Sequence, residues 1–249
     1  MNIKTDWHNR FSTQLKWTIP LRDVIYSDLK ITSSSIILEP GCGTGALLIE
    51  LGKRFHCDLH GLDIDASRLS LAKRNLTENH IPAILKKGNV VNTGYKDESF
   101  DFIFTHYLFL WVDDLQSTFN ELHRILKPEG ILIILAEPDY GGLIEKPDSN
   151  LKNALRSNLR KQGSNPDVGR EIPQFWKNQF EIDTQYTSSI PWLPINRKSQ
   201  LLQEAKFLET ILQDENFEAN AMKSAIKMEN YFLYIPVFTY VLNKVQKPE

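Results

Sequence analysis

The residues best suited to chemistry lie in a glycine-rich segment, EPGCGTG at residues 39–45, between an apolar run and a stretch with helical periodicity. Glycines there allow a tight turn and let a ligand approach bare backbone, while a helix N-terminus offers unpaired N–H groups. Asp63 ends the next apolar run, 18 residues after Gly45. A carboxylate at that place can accept hydrogen bonds from both hydroxyls of a ribose. Together these features predict a site for a nucleoside-containing cofactor.

The glycine segment by itself leaves the kind of cofactor open. Gly41, Gly43 and Ala46 also satisfy the loose dinucleotide fingerprint GxGxx(G/A). A P-loop is excluded, because no Gly-Lys-Ser/Thr follows at the required spacing.

The elements that must position these residues follow an alternating pattern from Ile36 onward. Short apolar runs alternate with amphipathic stretches, which is typical of a parallel sheet flanked by helices. Asp65 is expected to cap a helix whose apolar face carries Leu69, Ala72 and Leu76. The turn at residues 127–130 is expected to separate a helix from a continuous apolar strand. The predicted strands are 36–38, 58–63, 82–85, 100–105 and 131–136.

The C-terminal half is less regular in its pattern. Residues 181–190 alternate like a strand, 197–213 and 218–230 have helical spacing, and 231–242 are rich in aromatic and β-branched residues. We expect two further strands there that complete one sheet, with residues 145–170 forming a helix and a loop over the edge of the sheet.

Composition excludes several classes of function. Twenty-nine basic and 31 acidic residues give a net charge of -2, so nothing demands a polyanion-binding face. Two cysteines cannot build a disulfide framework, and no Cys/His spacing matches a zinc site. The apolar stretch 231–242 is shorter than the roughly 20 residues that cross a bilayer. We therefore expect a cytoplasmic protein with no metal centre, no membrane insertion and no nucleic-acid partner.

Four motifs in order across residues 36–142 carry a family resemblance. The segments LEPGCGTGALLIEL, GLDID, SFDFIFTHYLFLWVDD and LHRILKPEGILIILAEPDYGG resemble the class I S-adenosylmethionine-dependent methyltransferases, in particular the small-molecule group that includes the ubiquinone/menaquinone-biosynthesis type. The resemblance implies an α/β, Rossmann-like, doubly wound sheet of seven strands, the last antiparallel, with helices on both faces. It implies one domain over 31–249, a helical segment 1–30 that covers the cofactor, and substrate-side helical insertions at 145–175 and 195–230.

The same resemblance implies a set of S-adenosyl-L-methionine-binding residues. Glu39 would order the amino group of the methionine portion, Asp63 would hold the ribose hydroxyls, and Ile64 would pack against adenine. The family often has Asp where this chain has Asn89, and an amide can both donate and accept. The full expected set is Trp17, Arg22, Glu39, Gly41, Cys42, Gly43, Gly45, Asp63, Ile64, Asn89, Val90 and Thr105.

Methyl transfer from a sulfonium is an in-line displacement, so the protein contributes mainly alignment and exclusion of water. His106 is the expected base where the acceptor must lose a proton, since an imidazole has an ordinary pKa of about 6.5. Tyr107 is the second catalytic candidate. Further residues expected to border the cofactor or the acceptor are Trp7, Phe11, Trp17, Trp111, Asp139, Tyr140, Arg160 and Arg170.

Three hypotheses about the function remain open. The chain lacks the Asn/Asp-Pro-Pro-aromatic motif of enzymes that methylate adenine or glutamine amides, which favours an O, N or C atom of a small molecule. A non-catalytic S-adenosylmethionine-binding adaptor of the same fold is the first alternative. An NAD-dependent oxidoreductase is the second.

Overall fold

The strands form a main sheet and a small separate one. The structure, a computed structural model, describes residues 12–188, 193–212 and 216–245. The strands are β1 (Ile36–Pro40), β2 (Asp58–Asp63), β3 (Ile84–Lys87), β4 (Phe100–Thr105), β5 (Leu126–Pro138), β6 (Ile144–Lys146), β7 (Phe180–Ser188), β8 (Phe232–Tyr234) and β9 (Val237–Lys244).

The main sheet has seven strands in the order β3-β2-β1-β4-β5-β9-β7. The first five strands of the chain pair in parallel, and β9 runs antiparallel between β5 and β7. The predicted doubly wound sheet with an antiparallel last strand is therefore confirmed. Because the parallel strands share one direction, the loops after β1, β2, β3 and β4 meet at one edge, where open α/β sheets bind ligands.

Helices cover both faces of the sheet, and their bounds lie close to the predicted ones. Residues 12–17 are helical as well. The α-helices after these residues are α1 (Ile19–Asp28), α2 (Ala46–Phe55), α3 (Ala66–Glu78), α4 (Leu115–Ile125), α5 (Leu151–Lys161), α6 (Val168–Glu171), α7 (Pro194–Leu212) and α8 (Ala219–Lys227).

Local sequence explains how α3 begins and which side it buries. The Asp65 side chain accepts hydrogen bonds from the backbone N–H groups of Ser67 and Arg68, as the capping prediction expected. Ala72 and Leu76 are buried on the face toward the sheet. The helix therefore fixes the loop after β2, which carries Asp63.

The apolar residues form three cores. Two of them lie on the two faces of the main sheet and include Leu38 and Ile134 on one face, and Ile37 and Phe104 on the other. The third joins α5, α7 and α8 with β8 and with Leu143, the residue before β6. This third core gives the helices of the C-terminal half their own support above the sheet.

Two predictions about the strands were wrong. Residues 231–242 do not form one strand of the main sheet, because the chain divides around Pro236, which cannot donate to a ladder. The first part is β8, which pairs with β6, and the second is β9. The expected turn at 127–130 lies within β5, where the register jumps from Leu126 opposite Phe100 to Ile131 opposite Phe102.

Among the described residues, none of the helices combines the length and the apolar character that crossing a membrane requires.

Candidate functional site

A cleft of about 540 Å³ opens at the carboxyl ends of the parallel strands. One wall, which we call the strand wall, is formed by the glycine segment and the loops after β2, β3 and β4. The opposite wall, the helical wall, is formed by one side of α5 and one side of α7, including Leu155, Leu159, Phe207 and Leu208. The described N-terminal residues Gln14 and Leu15 border the cleft as well.

The glycine segment takes a conformation that side chains disfavour. Gly41, Gly43 and Gly45 have φ angles of 71°, 52° and 79°, in the left-handed region that glycine enters without steric cost. A Cβ atom on Gly41 would lie 2.7 Å from Cδ1 of Leu108. The segment therefore brings bare backbone to the cleft and feeds directly into α2.

Asp63 is held rigidly at the end of β2. The Gly43 N–H donates to its Oδ2 at 2.8 Å, and the Asp65 N–H donates to its Oδ1 at 2.9 Å. The side chain is only 4% exposed, yet it lines the cleft. Each carboxylate oxygen has a second lone pair, so the pair of oxygens can accept from two adjacent hydroxyl groups of a ligand.

Glu39 brings a second carboxyl to the strand wall. Its Oε2 is buried and has no hydrogen-bond partner within the described residues. Burial, together with the negative charge of Asp63, raises the pKa of Glu39 well above its ordinary value. A cationic group bound here would satisfy the orphaned oxygen and favour the ionised carboxylate.

The loop after β4 carries the two catalytic candidates. Tyr107 has a φ of 54°, and its ring packs against that of His106 with 4.8 Å between centroids. Nε2 of His106 is buried and finds no partner in the described part of the chain. Burial, with a smaller effect from the Arg22 charge, lowers the pKa of His106 to about 3. The expectation of a base with an ordinary imidazole pKa is therefore wrong, and His106 meets a ligand as a neutral hydrogen-bonding group.

Acid stability offers a direct test of this environment. Between pH 6.5 and pH 3 the unfolded imidazole binds a proton that the folded one does not, so His106 lowers stability as the pH falls through that window. We expect His106→Asn to reduce the loss in unfolding free energy between pH 7 and pH 5 by about 2 kcal/mol. Urea unfolding of both proteins at both pH values measures it. Equal losses would contradict the buried, neutral imidazole.

Glu137 is a functional candidate that sequence reasoning missed. It is fully buried near the end of β5, and its Oε1 accepts the N–H groups of Leu108 at 2.8 Å and Phe109 at 3.1 Å. Burial raises its pKa to about 8. Its signal was available, since a carboxylate that ends a run as apolar as ILIILA must have partners. Glu137 thereby positions the loop that carries His106 and Tyr107.

The structure brings most of the predicted cofactor residues together on the strand wall. Gly45 and Thr105 are buried and do not line the cleft. Trp17 lines a smaller neighbouring pocket instead. The predicted residues that line the cleft are Glu39, Gly41, Cys42, Gly43, Asp63, Ile64, Asn89, Val90, His106 and Tyr107.

Arg22 points away from the cleft lining, against the expectation of a cofactor contact. Its guanidinium donates to both carboxylate oxygens of Glu50, and to the Leu15 carbonyl and Thr18 Oγ1. These partners tie α1 to α2 and to the helical residues 12–17. The contact that Arg22 makes is therefore structural.

The arginines expected to face an acidic acceptor are also engaged elsewhere. Arg160 pairs with Asp167 at 2.8 Å, and Arg170 makes two hydrogen bonds of 2.7 Å to Asp139. Neither arginine lines the cleft. Trp111 and Tyr140 do line it, whereas Trp7 and Phe11 lie outside the described residues.

Over residues 12–188, 193–212 and 216–245, no three His, Cys, Asp or Glu side chains are grouped as a metal site would need. On the strand wall, the cleft offers bare backbone and the carboxyl groups of Glu39 and Asp63.

Comparison with known proteins identifies the central part of the chain. Residues 38–134 match the family model described as Methyltransferase domain. The demethylmenaquinone methyltransferase of Lactobacillus johnsonii is 27% identical over 222 residues, which is 86% of this chain and 83% of the relative. Matches to other curated relatives span about half of those proteins' length.

Solved structures share the fold at low sequence identity. Geranyl diphosphate C-methyltransferase from Streptomyces coelicolor, solved with S-adenosyl-L-homocysteine, has a TM-score of 0.57 and 15% identity, covering 86% of this chain and 71% of that one. The [4+2]-cyclase SpnF has a TM-score of 0.63 and 15% identity, covering 92% of this chain and 81% of that one. One fold thus carries both methyl transfer and cyclisation.

Proposed function

We propose that this chain, a class I methyltransferase by its fold and its methyltransferase domain, transfers the methyl group of S-adenosylmethionine to an O, N or C atom of a small-molecule acceptor. The observation that carries the proposal is the pair of carboxyls on the strand wall. Glu39 begins the glycine segment and has an orphaned oxygen, and Asp63 ends β2 and is held rigidly by the backbone N–H groups of Gly43 and Asp65.

The residues of the strand wall fit the parts of this cofactor. Asp63 would accept from the two ribose hydroxyls, and Glu39 would meet the ammonium of the methionine portion. Ile64, Asn89 and Val90 would border the adenine, and Ile64 is 64% exposed before any ligand covers it. When bound, the cofactor supplies an electrophilic methyl group on a sulfonium.

This chain's own residues would align the donor with the acceptor and exclude water from the transfer. Glu137 holds the backbone of Leu108 and Phe109, which places His106 and Tyr107 beside the glycine segment. A rigid loop of this kind keeps donor and acceptor in a reactive geometry, which is worth up to about 7–11 kcal/mol in well-oriented systems. With its lowered pKa, His106 would orient an acceptor by hydrogen bonding and would not be its main base.

The arrangement of the remaining segments supports the proposed division of the chain. Gln14 and Leu15 reach the cleft from the N-terminal helical residues, so we assign the segment 1–30 to covering the cofactor. Helices α5 and α7 form the wall opposite the glycine segment. We therefore assign the insertions at 145–175 and 195–230 to the acceptor side.

Calorimetric titration of the purified protein with S-adenosylmethionine, S-adenosylhomocysteine and NAD tests the cofactor. We expect micromolar dissociation constants for the first two and no measurable binding of NAD. Binding of NAD alone, or of none of the three, would contradict the proposal.

The reaction needs a separate measurement, because an adaptor of the same fold would bind the cofactor too. The protein is incubated with S-adenosylmethionine labelled in its methyl group and with the small-molecule fraction of a cell extract. We expect label to leave the cofactor and enter another small molecule. Cofactor binding without any transfer would favour the non-catalytic adaptor.

A further inference from the structure

The cleft continues past the strand wall into a small inner pocket of about 60 Å³. Five residues line both the cleft and this pocket and form the neck between them: Gln14, Tyr107, Tyr140, Leu155 and Leu208. Beyond the neck, the inner pocket is bordered by Leu151 and by the chain around β8 and β9, including Leu233 and Val237. Since a water-sized group needs about 10–15 Å³, the pocket holds a substituent of roughly four to six such groups.

The surfaces on the acceptor side are mostly apolar and well supported. Polar side chains among the described lining residues are Asn158 and Gln162 at the helical wall and Gln14, Thr18, Ser188 and Glu204 at the inner pocket. Leu155 and Leu208 are buried, with 8% and 3% exposure, and belong to the third core together with Leu151 and Leu233. Because this core fixes the helical wall from behind, the pocket is a preformed cavity. A preformed apolar cavity favours an apolar occupant.

The charged side chains around the two cavities discriminate between anionic and uncharged acceptors. Among the described residues that line the inner pocket, the single charged side chain is the carboxylate of Glu204. In the cleft itself, Asp113 and Asp114 are among the lining residues, and the arginine among the described lining residues is Arg68, which pairs with Asp65 in the helix after Asp63. An anionic acceptor would lose its hydration on binding and would find no cation in the inner pocket to pair with. Burying an unpaired charge has a high cost in free energy.

Three arginines on α5 and α6 are already paired with carboxylates. Arg156 and Arg160 stand on α5 but turn to Asp167, at 2.6 Å and 2.8 Å. Arg170 is bound by Asp139 at 2.6 Å. If an anionic acceptor recruited any of these three arginines, it would break an existing ion pair, and that makes its binding less favourable.

From this we infer that the helical wall and the inner pocket form an acceptor subsite for an uncharged, largely apolar molecule, with a small apolar substituent seated beyond the neck. The inference rests on the proposed function, because the strand wall is assigned to the cofactor. It assigns specificity to Leu155 and Leu208, which any substituent must pass. It excludes acceptors that present a carboxylate, phosphate or sulfonate to this wall.

Two fluorescent probes with nearly the same skeleton test the charge rule. N-phenyl-1-naphthylamine is neutral, and 8-anilinonaphthalene-1-sulfonate adds one sulfonate to that skeleton. Each is titrated into protein saturated with S-adenosylhomocysteine. We expect the neutral dye to bind at least ten times more tightly than the sulfonate. Equal affinities, tighter binding of the sulfonate, or no binding of the neutral dye would overturn the inference.

Variants at the neck test whether the dyes bind in this subsite. One of them is expected to gain affinity for a dye, so the test does not rely on lost fluorescence alone. Leu155→Trp should weaken the neutral dye at least ten-fold by filling the neck. Leu155→Arg should weaken binding of the neutral dye and strengthen binding of the sulfonate. Partly unfolded protein also binds this sulfonate dye, so a cooperative melting curve like that of the wild type must accompany the gain. Matched controls are Ile182→Trp and Ile182→Arg, on an exposed edge of the sheet, which should change neither. If neither Leu155 substitution changes the affinity for either dye, the inference is overturned.

The affinity for S-adenosylhomocysteine separates the two proposals. If wild-type protein does not bind it, the proposed function fails. If it binds, and the binding stays within two-fold in all four variants, any failure of the dye pattern counts against the acceptor subsite alone.

Discussion

Replacing Asp63 by alanine is expected to weaken binding of S-adenosylhomocysteine at least about 100-fold. Hydrogen bonds to a charged group are worth about 1.5–3 kcal/mol each, and two ribose hydroxyls would lose theirs. The same change frees the N–H of Gly43, which Asp63 now holds at 2.8 Å. Calorimetric titration of wild-type and variant protein measures the effect, and a melting curve shows that the variant is folded.

Two further substitutions sharpen the Asp63 prediction. Asp63→Asn keeps one acceptor oxygen but turns an amide N–H₂ toward a backbone N–H, so we expect a smaller loss of about ten-fold or more. Asp58→Ala changes a carboxylate at the opposite end of the same strand, where it is exposed, and should leave the affinity within two-fold. A folded Asp63→Ala protein that binds within three-fold of wild type would remove Asp63 from the cofactor site.

Replacing Arg22 by methionine is expected to lower the free energy of unfolding by about 3 kcal/mol. Arg22 is only 1% exposed and pairs with Glu50, which is 29% exposed, and removing one partner of a buried pair typically costs about 3–5 kcal/mol. We take the low end because Glu50 can regain some water. Methionine keeps much of the apolar part of the side chain, so the decrease in unfolding free energy measures the contribution of the guanidinium group. Urea unfolding measures it.

A neighbouring ion pair across the same two helices supplies the matched control. Arg54 pairs with Asp23, but these side chains are 40% and 53% exposed. Exposed pairs contribute about 0–1 kcal/mol. The Arg54 guanidinium also lies 5.0 Å from the centre of the Tyr26 ring, an exposed contact worth about 0.5–1 kcal/mol, so Arg54→Met should cost less than Arg22→Met, about 2 kcal/mol at most. Similar losses for the two variants would contradict the special role of Arg22.

Cofactor affinity gives a second readout for Arg22. Because its guanidinium holds the Leu15 carbonyl, loss of Arg22 releases the helical residues that bring Gln14 and Leu15 to the cleft. We expect Arg22→Met to weaken S-adenosylhomocysteine about ten-fold, against two-fold or less for Arg54→Met. An unchanged affinity in Arg22→Met would show that residues 12–17 do not need this contact to cover the site.

Local sequence pattern is sufficient to predict the parallel part of the sheet and most residues of the strand wall. Apolar runs bounded by glycine and proline predict buried parallel strands, and parallel strands place their carboxyl ends at one edge. The predictions for the glycine segment and Asp63 depend only on residues that adjoin those strands. Local pattern is sufficient there, because the loop is short and its backbone conformation is dictated by glycine.

Tertiary structure alone decided which charged side chains face the cleft. Arg22 and Arg170 have the same chemistry in the sequence as any ligand-binding arginine, but Glu50 and Asp139, 28 and 31 residues away, take their hydrogen bonds. His106 follows a strand as predicted, yet burial removes its basicity. Glu137 acquires its role only because β5 lies beside β4. Ionisation and pairing depend on every group that packs around a side chain, and those neighbours come from distant parts of the chain.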